Sequence, residues 1–180
     1  SDVTTLIHLA RVVNDTDDII NYSEDSIKIN LHGILNLLEF LPNLKHVTFA
    51  SSYMVYGDSK MKLINEKHST NPENIYGVTK LLVEKFLKIF SKKLNFNLCI
   101  LRFMGVYGPN TPLSDRAIPT FIHLIELDKK PILFGTGNAR RNHVYIDDAV
   151  NSIISSLQIK HSTTLNIGGF ESISNIDLIN

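Results

Sequence analysis

Apolar residues in this chain gather into two kinds of stretch. Thr5-Leu6-Ile7-His8-Leu9-Ala10, His46-Val47-Thr48-Phe49-Ala50 and Asn97-Leu98-Cys99-Ile100-Leu101-Arg102-Phe103 are short and nearly continuous, as strands buried on both faces are. Residues 131–134 read as a shorter strand. Elsewhere the spacing is helical. Ile27, Leu31, Ile34, Leu35 and Leu38 mark a helix over residues 26–40, ended by Pro42-Asn43. Ile75, Val78, Leu82, Phe86, Ile89 and Phe90 mark a second helix, and Leu81, Val83 and Leu87 widen its stripe. So broad a stripe predicts burial on two sides, one against the sheet and one against a second subunit. Asn71-Pro72-Glu73 offers that helix an Asx cap, a first-turn proline and an early carboxylate. Residues 117–127 predict a third helix, and Asp147 or Asp148 caps a fourth through Ile153, Ile154 and Leu157. The polar stretches 14–23 and 58–72 predict loops, and 174–180 the opening turns of a further helix.

Composition narrows the possibilities. A length of 180 residues with 43% apolar residues suits one globular domain with a sizeable core. Zero net charge gives no electrostatic footprint for nucleic acid or an anionic membrane. No apolar run approaches the roughly 18 residues a membrane span needs, and no basic segment precedes the first apolar run. The single cysteine, Cys99, sits in a strand-like run as a small buried hydrophobe and forms no internal disulfide, which agrees with a cytoplasmic protein. The seven histidines are scattered without ligand spacing, so no metal site is expected.

The candidate chemistry lies between residues 51 and 80. Ser51-Ser52-Tyr53-Met54-Val55-Tyr56-Gly57 follows a strand, and Tyr76-Gly77-Val78-Thr79-Lys80 opens a helix. Residues i and i+4 share a helix face, so Tyr76 and Lys80 project side by side. An ammonium beside a phenol favours phenolate, which suits Tyr76 to acid/base work near neutrality. A hydroxyl from Ser52 at the strand end reaches the same reacting oxygen.

Ser-Ser-x-x-Val-Tyr-Gly followed by Tyr-x-x-x-Lys resembles the extended short-chain dehydrogenases/reductases, the NAD-dependent nucleotide-sugar epimerase/dehydratase family, in its UDP-glucose 4-epimerase-like branch. The likeness covers essentially the whole chain. Ile7-His8-Leu9-Ala10 is similar to the family's V-I-H-L-A strand, and Asn30 and Gly33 to its N-x-x-G helix. Residues 101–109 are similar to L-R-x-x-N-V-Y-G-P, residues 135–148 to G-x-G-x-x-x-R-D-F-x-Y-V-x-D, and Asn166-Ile167-Gly168 to the late N-I-G strand. The resemblance implies an α/β fold, a Rossmann-like parallel sheet flanked by helices, with part of a smaller substrate-binding lobe. It implies NAD, with NADP possible, and catalysis by Ser52, Tyr76 and Lys80. It places Leu9, Ala10, Arg11, Asn30, Tyr76, Lys80 and Phe103 at the cofactor, and Ser52, Gly105 and Arg141 at a nucleotide-sugar substrate. It also implies a homodimer joined by a four-helix interface built from the Asn30 and Tyr76 helices. Arg11 replaces a small residue, Ile34 a Thr, Gly105 an Asn, and Asn142-His143 an Asp-Phe pair.

A dinucleotide fold needs a Gly-rich turn between its first strand and helix. The only Gly-x-Gly, Gly135-Thr136-Gly137, leads to a strand. The expectation is therefore a fold incomplete at both ends, an internal piece of a longer protein or a truncated gene product. Residues 1–110 would be the later part of the NAD(P)-binding domain. Residues 111–180 would be part of the substrate lobe, with elements returning to the sheet. The implied activity is epimerisation or reduction of a nucleotide sugar by hydride transfer, and the alternative is a non-catalytic Rossmann-like binding or regulatory module. Tyr53 and Met54 stand where the family's 4,6-dehydratases carry acidic residues, and neither side chain can act as a carboxylate acid/base. That favours an epimerase or reductase over a dehydratase or decarboxylase.

Overall fold

The computed structural model describes residues 2–12, 19–58, 63–111, 117–133 and 135–179. It divides into two compact units, Ser1–Phe103 with Ile153–Asn166, and Met104–Ser152 with Ile167–Asn180.

The first unit is built on a sheet of order β1-β2-β3-β6, from β1 (Thr5–His8), β2 (His46–Ser52), β3 (Asn97–Phe103) and β6 (Thr163–Ile167). β1 pairs β2 and β2 pairs β3 in parallel, with Val47 opposite Leu6 and Leu98, and Ser51 opposite Arg102. Side chains alternate across a strand, so Val47, Phe49 and Ser51 share one face. There Val47, Phe49, Leu98 and Ile100 pack with Ile34, Leu38, Val83 and Leu87 into the main core. On the opposite face Thr48 bonds the Ser156 hydroxyl at 2.7 Å. Buried Cys99 lends its thiol to the Ser156 carbonyl at 3.6 Å, and burial pushes its pKa up.

The first helical segment is longer than its apolar pattern predicts. Helix α1 (Ile19–Ser26), a π-helical turn (Ile27–His32) and α2 (Gly33–Phe40) follow one another, so residues 19–23, expected as loop, are helical. Extending an existing helix costs far less than nucleating one, and a polar turn can ride on an apolar one. In the π turn the Gly33 N–H bonds the Lys28 carbonyl, five residues back. That widening rotates the face, so Asn30 and Leu31 are buried while Ile27 and Ile29 are exposed.

Helix α3 (Ile75–Leu94) is capped by Asn74, whose Oδ1 accepts the Gly77 N–H at 2.8 Å, and not by the expected Asn71. Its C-terminus closes on Asn95 in the left-handed conformation (φ 58). Val83 and Leu87 are fully buried, and Leu82, Phe86 and Phe90 pack against the core from its margin. Val78 and Ile89 stay about half exposed.

The second unit holds β4 (Gly105–Tyr107), β5 (Arg140–Tyr145) and β7 (Ser172–Ser174) in the order β4-β5-β7, with α4 (Ala117–Glu126). β4 pairs β5 in parallel and β5 pairs β7 antiparallel. Three expectations fail here. Residues 131–133 join no sheet, and Phe134 lies outside the described residues. Asp147 and Asp148 occupy the first turn of α5 (Ile146–Ser156), where carboxylates favour the helix dipole, and not its cap. Residues 174–179 begin as the end of β7 and continue as a turn, with the Asp177 N–H on Ser174 Oγ at 3.1 Å. Pairing with β5 ends at Ser174, and beyond it the Leu178 N–H bonds the Ser174 carbonyl at 3.1 Å, closing a single turn where a helix was expected.

Candidate functional site

The strand end, the turn after it and the start of α3 converge in the first unit. β2 ends at Ser52, which is 7% exposed, and its Oγ accepts the Met54 N–H at 3.2 Å, capping a 3-10 turn (Tyr53–Tyr56). Accepting there uses a lone pair and not the hydroxyl proton. Helix α3 starts tightly against that turn. A Cβ on Gly77 would lie 2.5 Å from the Met54 carbonyl oxygen, so only glycine lets the Tyr76 end of the helix come this close.

Lys80 is 1% exposed, and its Nζ donates to the carbonyls of Ala50 at 2.9 Å and Ala10 at 3.3 Å. The ammonium sits 4.9 Å from the Phe49 ring centroid and 5.8 Å from that of Tyr76, within cation–π range. Burial first, and the Arg11 charge second, pull its pKa down to about 8. Asn30 is 1% exposed and donates from Nδ2 to Thr79 Oγ1 at 3.4 Å, while Thr79 donates to the Tyr76 carbonyl at 3.0 Å. The helix carrying Tyr76 is thereby tied to the π turn. Phe103 is the register partner of Ser52 at the end of β3. Leu9, Ala10 and Arg11 follow β1 in exposed positions.

His8 is 5% exposed and stacks on Phe49 at 5.7 Å between centroids. Burial, and then the Lys80 charge, push its pKa down to about 4. Between about 4 and 6.5 the unfolded chain holds a proton here that the folded chain does not. Its contribution to stability is therefore present above 6.5 and is lost as the pH falls toward 4. His8→Phe, which keeps the stack, is expected to flatten this acid limb. Urea titrations between about pH 4 and 7 check it, and parallel limbs for the two proteins would refute it.

Sequence reasoning missed the largest polar feature of this unit. Glu84, one turn beyond Lys80, is 0% exposed and takes Arg102 Nε at 2.9 Å, Arg102 Nη2 at 2.6 Å and the Ser51 hydroxyl at 2.6 Å. Arg102 Nη1 donates to the Tyr56 hydroxyl at 2.8 Å, which donates to Asn166 Oδ1 at 2.7 Å. Burial works against the Arg102 charge, but its bonds to Glu84 and Tyr56 outweigh that and raise its pKa. The available signal was a charged residue inside each of two apolar runs, at helix position 84 and strand position 102.

The other expected substrate residues lie in the second unit. Gly105 pairs His143 across β4 and β5, and a Cβ on Gly105 would come 2.9 Å from His143 Nδ1. The imidazole therefore fills the space a side chain at 105 would need. Burial, then the Arg141 charge, lowers the His143 pKa. Arg141 is exposed on β5. Asn142 donates from Nδ2 to the Gly169 and Glu171 carbonyls, both at 2.9 Å, and accepts the Gly169 N–H at 2.8 Å. A carboxylate could accept there but not donate, which explains an amide at this position.

A parallel sheet flanked by helices, with a hydroxyl, a phenol-bearing helix and a buried ammonium at its strand ends, defines a Rossmann-like α/β enzyme class. The chain belongs to the NAD dependent epimerase/dehydratase family, whose model matches residues 1–168. It is 33% identical over 184 residues to the uncharacterized UDP-glucose epimerase YtcB of Bacillus subtilis, covering 98% of this chain and 57% of that one. It is 32% identical over 193 residues to the dTDP-D-glucose 4,6-dehydratase of Dictyostelium discoideum, covering 98% and 43%. The UDP-glucuronic acid 4-epimerase of Bacillus cereus, solved with NAD, superposes with a TM-score of 0.86 at 30% identity over 99% of this chain and 58% of that one. The chain thus spans about half the length of these relatives.

The residues present fit one end of NAD. His8 Nε2 and Asn30 Oδ1 are buried without a hydrogen-bond partner. A cleft of about 560 Å³ opens beside His8, Ala10, Lys28, His32 and Gly33. Among the described residues no Gly-rich turn leads into a helix to hold the pyrophosphate.

Proposed function

We propose that this chain carries the proton-transfer half of a nucleotide-sugar 4-epimerase. The observation that supports it most directly is the buried Lys80 ammonium, 5.8 Å from the Tyr76 ring centroid and bonded to the strand leading to Ser52. Tyr76 takes and returns the proton of the sugar hydroxyl at the reacting carbon. The Ser52 hydroxyl donates to the same oxygen and polarises it. Lys80 favours the phenolate and, with the Ala10 segment, Asn30 and Phe103, holds the nicotinamide end of NAD. NAD, when bound, supplies the reversible oxidation and reduction at that carbon. Arg141, a forked guanidinium on β5, suits the substrate diphosphate.

Elimination of water across a sugar's C5–C6 bond requires a base and an acid beside Ser52. The turn there presents Tyr53 and Met54, and the Met54 thioether faces the Asn74 amide at 3.5 Å. That composition supports epimerisation. The complete protein, given NAD and a panel of UDP-, dTDP- and GDP-sugars, is expected to invert the C4 hydroxyl, read by NMR of the products. A 4-keto-6-deoxy product would overturn this reading.

We also place the enzyme in the cytoplasm, in keeping with its one cysteine, and read it as a homodimer. Val78 and Ile89 on α3, and Phe40 at 73% exposure on α2, leave apolar surface on the two helices that the dimer would use. Light scattering on the complete protein should give two subunits. A clean monomer at tens of micromolar, well above usual dimer constants, would count against it.

A further inference from the structure

Ser52 accepts the Met54 N–H, and no ion pair holds it directly. The residues on either side of it are anchored. Ala50 is held through its carbonyl by Lys80, and Ser51 through its hydroxyl by Glu84 at 2.6 Å. Lys80 and Glu84 are one turn apart on α3. Two successive residues of the strand end are thus fastened to two successive turns of the helix that carries Tyr76. Arg102, the register partner of Ser51, grips both carboxylate oxygens of Glu84 and closes the triangle from β3. On the far side of Ser52, Arg102 holds the Tyr56 hydroxyl at 2.8 Å and lies 4.8 Å from its ring centroid, and Tyr56 reaches Asn166 on β6.

We propose that Glu84, Arg102 and Ser51 are positioning residues that fix the Ser52 strand end against the Tyr76–Lys80 helix. The physical basis is the strength and dryness of the contacts. Glu84 is 0% and Arg102 3% exposed, so in the native packing solvent is not at hand to replace a stretched bond. Charge-assisted bonds in such a place resist displacement far more than neutral surface ones. A misplacement of roughly 1 Å in a reacting group costs about a hundredfold in rate. The chemistry therefore depends on a buried ion pair that does not touch the reacting atoms.

The inference rests on the reading of Ser52 and Tyr76 as catalytic, and the experiment separates the two. Ser51→Ala removes one neutral hydroxyl and leaves the ion pair, so the fold is retained. Glu84→Asp keeps the charge but shortens the reach. In the complete protein, both are expected to lower kcat about tenfold or more with KM within about twofold, the pattern of lost alignment. Combined with Ser52→Ala, neither should slow the enzyme further, because the group they align is gone. Independent, multiplying losses would overturn the proposal, as would a rise in KM alone.

A second arm needs no turnover. Lys80 interacts with His8 and Arg11 from the β1 side and with the Tyr76 ring on its own helix. Burial first, and the Arg11 charge second, hold its pKa down, and 13Cε-lysine NMR follows its titration. Loosening the strand end should admit water and move it upward in both variants, and an unmoved titration refutes the positioning role. If the wild-type protein turns over no nucleotide sugar, the proposed function fails, and this arm alone decides the inference.

Discussion

Glu84→Ala is expected to cost the fold about 3–5 kcal/mol, the usual penalty for stranding a buried partner charge. Arg102 would be left in the core with only the Tyr56 hydroxyl at 2.8 Å, and Ser51 would lose its acceptor. The paired replacement Glu84→Leu with Arg102→Met should be far milder, because apolar residues of similar volume avoid desolvating two ions. Urea denaturation of the three proteins checks this. The outcome that refutes it is a double variant as unstable as Glu84→Ala, since the cost would then lie in lost volume and not in an unpaired charge.

Tyr76→Phe is expected to lower turnover of the complete protein by about 10²–10⁴-fold, the range that one acid/base group contributes. The ring stays beside Lys80, so stability should change little. Substrate affinity should hold within a few-fold, because the phenol acts on the reacting oxygen and not on the diphosphate. Steady-state kinetics with the substrate identified by NMR provides the test. Retained turnover would move the proton to another group and remove Tyr76 from its assigned role.

What the sequence determined by itself is local. The central strands β2 and β3 appeared as continuous apolar runs because a sheet covered on both faces has no polar side to alternate with. β1 was expected to be buried in the same way, but at the sheet edge its Thr5 and Ile7 are exposed. The face shared by Tyr76 and Lys80 followed from the helical period, whereas the close approach of Gly77 to Met54 came only with the structure. Buried Cys99 followed from its apolar run. The core side of the first helical segment was only partly legible: Ile34 and Leu38 are buried as their spacing predicts, but the π turn at Ile27–His32 widens the helix and leaves Ile27 exposed.

Only the tertiary structure decided how distant charges meet. Nothing in the order of residues says that Glu84 on a helix and Arg102 on a strand share two hydrogen bonds, or that Ser51 joins them. In a sequence each reads as a polar interruption of an apolar run. The same holds for β7, whose Ser172–Ser174 segment forms a strand because β5 offers it an antiparallel partner. Pairing across long sequence separation depends on which surfaces the sheet register brings opposite one another. That register, with Ser51 beside Arg102 and Gly105 beside His143, is set by the packed whole.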